Sequence, residues 1–160
     1  MEKLNFPNCK VLIKNKENKP YIFDRIRKKW LYCTPEEWVR QHLISYLHLH
    51  QGYPIEKIAV EKQIQYDGFT RRWDVVVYNA QFEAAILVEC KAPQIKLSHE
   101  VFIQISTYQK IIGAGCLILS NGLNHLVYEI DADQKSFTPM SSFPKNQFWT
   151  KLSSPAFMRW

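Results

Sequence analysis

The chain has 160 residues, a formal net charge of +6, and a composition of 46% hydrophobic, 22% charged and 14% aromatic residues. That balance excludes a disordered, collagenous or low-complexity chain, and the length suits one domain with a core that needs no staples. Apolar runs reach four or five residues, as in Cys116-Leu117-Ile118-Leu119, against the ~20 of a membrane helix.

The opening residues show no secretory leader pattern, so the expected location is cytoplasmic. Cys9, Cys33, Cys90 and Cys116 are scattered without a CxxC, and no His/Cys spacing fits zinc. The charge is uneven. Residues 1–30 hold nine Lys/Arg and three acids, whereas residues 31–160 hold twelve of each. A localised basic segment suits a phosphate backbone, or simply a solvated face.

In chain order, Lys10–Lys14 and Tyr21–Phe23 read as two strands of a basic N-terminal β-hairpin within residues 1–30, turned by the polar run 15–20. A helix opens at Thr34-Pro35-Glu36-Glu37, with Thr34 as N-cap, Pro35 at the first helical position and Glu37 completing a capping box. Val39, Leu43, Tyr46 and Leu47 follow at helical spacing, and Gly52 and Pro54 end the segment. Val60–Tyr66, Arg72–Tyr78 and Ala85–Lys91 read as strands, with turns at Asp67-Gly68 and Phe82-Glu83. A second helix is expected over Ser98–Ile112, stopped by Gly113. Cys116–Ser120 and Asn124–Ile130 form a hairpin around Asn121-Gly122, and residues 131–160 are an aromatic-rich tail. The order predicts a single α/β domain over 1–160. Its core, residues 34–130, is a central mixed β-sheet flanked by helices.

Two acids sit inside apolar strands: Asp74 in Trp73-Asp74-Val75-Val76-Val77, and Glu89 in Ile86-Leu87-Val88-Glu89-Cys90. Buried charge is costly unless paired or ligated. A hairpin centred between Gln81 and Phe82 sets Val77 against Ile86, Val75 against Val88 and Asp74 against Glu89. Opposed like charges repel, and a divalent cation between the two carboxylates would reconcile them. Lys91, two residues on, lies on the face of Glu89. The residues alone also allow plain pairing of Asp74 and Glu89 with Arg72 and Lys91. The register argument would not survive a bulge.

Asp74 followed on the next strand by Glu89-Cys90-Lys91 resembles the PD-(D/E)XK nuclease superfamily motif, and Gln104-Ile105-Ser106-Thr107-Tyr108 resembles the QxxxY motif of several of its branches. With Thr34-Pro35-Glu36-Glu37-Trp38-Val39-Arg40, Val88-Glu89-Cys90-Lys91-Ala92-Pro93 and Ser120-Asn121-Gly122, residues 20–130 are similar to the N-terminal nuclease domain of the type I restriction endonuclease R subunit.

The resemblance implies a restriction-endonuclease-like core and Mg²⁺-dependent hydrolysis of DNA, with Mn²⁺ able to substitute. Asp74 and Glu89 would be metal ligands, with the Cys90 backbone carbonyl a third. Lys91 would orient or activate the attacking water or offset developing charge, and Gln104 would steady the site or contact the phosphate backbone. Tyr108 would hold nucleic acid or pack in the core. Glu37 matches an assisting acid of the first helix, but the capping box explains it equally well. Glu61 also matches a family acid. Arg25, Arg27, Lys28 and Lys29 are the expected phosphate contacts.

Trp73 stands where relatives often have proline, and no GxxxxGK[ST] loop occurs, so no ATP-driven motor is expected. A homodimer or a larger DNA-processing complex stays open. The alternative is a non-catalytic module of the same fold acting in DNA binding or assembly.

Overall fold

A computed structural model describes residues 1–66, 69–98, 100–103, 106, 113–131, 133 and 136–146. Its elements are β1 (Ile13–Lys16), β2 (Lys19–Asp24), β3 (Lys29–Tyr32), α1 (Pro35–Leu49), β4 (Ile58–Tyr66), β5 (Phe69–Tyr78), β6 (Ala84–Cys90), β7 (Cys116–Ser120), β8 (His125–Ile130) and β9 (Phe137–Pro139), with a short 3-10 turn at Ile55–Lys57. The expected α/β class holds. A six-stranded mixed sheet runs in the order β4-β5-β6-β7-β8-β9, beside a three-stranded sheet β1-β2-β3.

The N-terminal hairpin differs from its expected form in two ways. Its turn is only Glu17-Asn18, both left-handed at φ 53° and 59°, the geometry of a tight two-residue hairpin turn. The strands therefore run closer to it than the polar composition suggests. A third strand, β3, pairs Tyr21 with Tyr32 and Phe23 with Trp30. The reversal before it is made at Lys28, φ 52°, with no glycine to advertise it.

Thr34 caps α1, its Oγ1 accepting the Glu37 N–H at 3.0 Å, and Pro35 needs no partner for a missing N–H. Val39, Leu43, Ile44 and Leu47 are buried and pack on Val75, Val77, Ile86, Val88 and Ile118 of the sheet. The opposite face buries Trp73, Val76, Leu87, Leu117 and Leu119. β6 and β7 are parallel, Val88 beside Ile118, and parallel neighbours need a crossover. The chain between them is helical at residues 100–103. Phe102 of that segment packs tilted against Tyr128 and edge-on against Phe137, with centroids 4.0 and 5.3 Å apart. Both faces are thus covered. Most of the helix expected over 98–112, and the Asp67-Gly68 turn, lie outside the described residues.

The tail contributes β9, which was not anticipated because Phe137–Pro139 is too short to show alternation. Buried Phe143 packs edge-on against Tyr46.

Candidate active site

The β5–β6 register is Val75/Val88, Val76/Leu87 and Val77/Ile86, as the hairpin arithmetic requires. A bulge at Tyr78 leaves those pairs intact. One step further, Asp74 falls opposite Glu89. Here the alternation slips. Trp73 shares a core with Val76 and Leu87 instead of with Val75. Across on β4 the pairs Val60/Val75 and Lys62/Trp73 bracket Glu61, whose φ is 50°. Left-handed backbone at a non-glycine residue costs on the order of 1–3 kcal/mol and re-aims neighbouring side chains.

Asp74 is held from two sides, by the end of β6 and by α1. Its carboxylate turns to the rim of the sheet, where Oδ2 accepts the Cys90 N–H at 2.7 Å and Oδ1 accepts from Arg40 Nη2 of α1 at 2.9 Å.

Glu89 and Lys91 reach the same rim. Lys91 Nζ lies 3.0 Å from Glu89 Oε1, with the two side chains 31% and 14% exposed. The Lys91 N–H donates to Ser120 O at 2.8 Å, fixing the end of β6 to β7. Glu36, in the first turn of α1, senses the whole group. Its carboxyl is raised above the ordinary value by burial, then by Asp74 and to a smaller extent by Glu89, against the opposing pull of Arg40 and Lys91. The helix start, the middle of β5 and the end of β6 therefore converge on one acidic rim holding two cationic groups.

Glu37 carries out only half of a capping box. Its N–H is capped by Thr34, but the Thr34 N–H goes to Tyr32 O. The Glu37 carboxylate instead accepts from Arg40 Nη1 at 2.5 Å, Gln41 Nε2 at 2.9 Å and Arg27 Nη2 at 3.3 Å. Arg27 also donates to Asp24, which is fully buried, and to Glu61. Glu61 lies 3.8 Å from both Arg40 and Arg72. A continuous chain of ion pairs thus links the N-terminal sheet, α1 and β4 to Asp74. Sequence reasoning missed Arg40. At three and four residues from Glu37 and Glu36 it looks like an ordinary helix-surface partner, whereas it is buried.

The remaining candidates are dispersed. Arg27 is engaged internally. Arg25 Nη2 donates to Lys10 O at 2.8 Å, Lys28 lies in the β2–β3 turn, and Lys29 is exposed opposite Asp24. Gln104 and Tyr108 lie outside the described residues. Cys90 is buried in the helix-side core, and burial, then Asp74, pushes its thiol well up. A thiol so disfavoured as thiolate is no nucleophile. Asn121 is buried and steadies the loop after Lys91: Nδ2 donates to Ile95 O at 2.8 Å, and Oδ1 accepts the Leu123 and Asn124 N–H groups.

No group of three or more His, Cys, Asp or Glu side chains stands in a metal-holding arrangement among the described residues. The donors at the rim still fit a small hard cation. Mg²⁺ keeps most of its waters and takes one or two carboxylates plus substrate phosphate oxygens. The Asp74 oxygens each accept one hydrogen bond and have a lone pair left.

No helix of the described residues is long and apolar enough to cross a membrane. A family model described as the N terminus of the type I restriction enzyme R protein matches residues 35–144. No curated protein matches the chain.

Proposed function

Since the chain belongs to the family of type I restriction enzyme R protein N termini, we propose that it is a Mg²⁺-dependent nuclease of the PD-(D/E)XK type that hydrolyses DNA phosphodiester bonds. One observation carries this reading. Asp74 of β5 accepts the Cys90 N–H, Glu89 and Lys91 flank Cys90 and pair with each other, and Glu36 in the first turn of α1 senses all three charges.

Asp74 and Glu89 would hold the cation, with the Cys90 carbonyl as a further oxygen. When bound, such an ion polarises a phosphoryl oxygen and acidifies a coordinated water. The chain's own groups have separate tasks. Lys91, now restrained by Glu89, presents an ammonium to the negative charge that develops on the phosphate. The Cys90 N–H holds the Asp74 carboxylate in one orientation. Glu37, whose carboxylate accepts from Arg27, Arg40 and Gln41, anchors Arg40 beside Asp74. Lys28 and Lys29, exposed at the β2–β3 turn, would meet backbone phosphates without reading sequence.

The test is nicking of supercoiled plasmid in Mg²⁺ or Mn²⁺ by the wild-type chain and by Asp74→Ala and Lys91→Ala. Cleavage by the wild type and its loss in both variants, each with an unchanged circular-dichroism spectrum, is the expected result. Equal nicking by all three excludes the mechanism.

A second reading, a nuclease-fold module that binds DNA or assembles with a partner without cutting, is favoured by one feature. The Arg40 guanidinium already lies against Asp74, where a cation would have to compete with it. Calorimetric titration with Mn²⁺ separates the two readings. Heat of binding that disappears in Asp74→Asn supports the enzyme, and its absence from the wild type supports the module.

A further inference from the structure

The three-stranded sheet β1-β2-β3 precedes the matched family segment, so that match assigns it no role. One of its faces is turned inward, where Ile22 and Asp24 are fully buried. The other face follows from the register. Cross-strand partners share a face and residues alternate along each strand. Lys14 pairs with Tyr21 and Tyr21 with Tyr32, while Lys16 pairs with Lys19 and Phe23 with Trp30. All seven fall on the outward side. Trp30 is 36% and Tyr32 54% exposed, Tyr21 and Phe23 are half-buried, and the three lysines are exposed.

The rings brace one another. Tyr21 meets Tyr32 edge-on at 6.1 Å and Phe23 meets Trp30 at 5.3 Å. Lys14 Nζ lies 4.3 Å from the Trp30 ring centre. The two aromatic rows are two residues apart along the strands, about 7 Å.

We propose that this outer face binds single-stranded nucleic acid, with successive bases stacking on Trp30 and Tyr32 and the strand's phosphates lying along Lys14, Lys16 and Lys19. Two features select that occupant. The segment 1–30 carries all of the chain's excess positive charge, since residues 31–160 are balanced, so the face is complementary to a polyanion. Exposed rings beside a row of lysines gain little from a duplex, whose base faces are already stacked. They suit unpaired bases, which offer π-faces irrespective of sequence. Arg25 and Arg27, tied to Lys10 O and to internal carboxylates, take no part.

The proposal does not depend on cleavage, and its test excludes cleavage. Fluorescence anisotropy with a labelled oligothymidylate is measured on the full chain in EDTA, against a blunt duplex of equal length. Tighter binding of the single strand is expected. Trp30→Ala and Tyr32→Ala should each weaken it about 5- to 150-fold, and Trp30→Phe should restore most of the loss. Lys14→Gln with Lys16→Gln should flatten the dependence of affinity on salt. Equal affinity for both probes, or indifference to the Trp30 and Tyr32 substitutions with folding intact, overturns the proposal. So does self-association of the chain abolished by Trp30→Ala, which would make the face a contact between copies. Binding that is lost in these variants while plasmid nicking persists, or single-strand binding that persists in Asp74→Ala while nicking is lost, keeps this surface distinct from the reading at Asp74.

Discussion

Arg40 Nη2 lies 2.9 Å from Asp74 Oδ1, joining the first turns of α1 to a strand 34 residues later. The same guanidinium binds Glu36 and Glu37, and its Nε is buried without a partner among the described residues. A buried cation facing four carboxylates, those of Glu36, Glu37, Glu61 and Asp74, holds the acidic rim together. Removing one member of a buried ion pair leaves the other uncompensated, at a cost of about 3–5 kcal/mol.

Arg40→Met should therefore destabilise the chain by about that amount, read as a lower urea midpoint at an unchanged slope. A midpoint within experimental scatter of the wild type would mean that the pair contributes no net stability.

Divalent cation should stabilise the wild type and not Asp74→Asn. Binding only to the folded state at one hundred times the dissociation constant contributes about 2.7 kcal/mol. Thermal unfolding at increasing Mg²⁺, compared with equal ionic strength in NaCl, is the measurement. Identical shifts in both proteins would place any ion elsewhere.

Glu36 gives a pH signature. Its carboxyl is raised by burial and by Asp74, so the folded chain holds that proton more tightly than the unfolded chain. The associated stability is complete below the unfolded value and is lost as pH rises through the folded one. Glu36→Gln should then be more stable than the wild type at neutral pH, with the advantage shrinking as pH falls through the carboxylate range. Urea midpoints at a series of pH values test this, and a difference independent of pH would remove the electrostatic explanation.

The four cysteines are free. Burial, then Glu37, raises Cys33 to about 11, and burial leads the upward shifts of Cys90 and Cys116. At pH 8 a thiol reagent should modify Cys9, the least buried, well before the other three, and all four only in denaturant. Rapid labelling of three or four thiols in the folded chain would contradict this packing.

Gly122 adopts φ +82°, and a Cβ there would come within 2.8 Å of Leu4 Cδ2. Gly122→Ala should cost about 1–3 kcal/mol through backbone strain and crowding. Leu4→Ala in the same chain should relieve the crowding from Leu4 but not that from Val39 Cγ2 at 3.1 Å, so a double-mutant cycle isolates the Leu4 share. Strict additivity would show that Leu4 yields freely.

Much of the architecture could be read from composition and spacing, for reasons visible at single residues. Asp74 and Glu89 stood out because charge interrupts apolar strands, and the Val75/Val88 register followed from loop position alone. What escaped depends on tertiary placement. The left-handed backbone at Glu61 carries no sequence signal, yet it turns Asp74 towards α1. β3 was hidden because Lys28 makes a turn usually left to glycine. The Thr34–Glu37 pattern suggested reciprocal capping, but buried Arg40 outcompetes the Thr34 amide for the Glu37 carboxylate.

The first residues lie across α1 and the β7–β8 corner. Asn5 N–H donates to Gly122 O at 2.7 Å, Trp38 Nε1 donates to Glu2 O, and Leu4 is buried between α1 and that turn. This strap spans 117 positions of chain, so during synthesis it cannot seat until the β7–β8 corner has emerged. Such distant closures are slow to form. A shortened start, or a bulky fusion placed ahead of Glu2, would therefore be felt at the loop that follows Lys91, through the corner that Asn121 and Gly122 share.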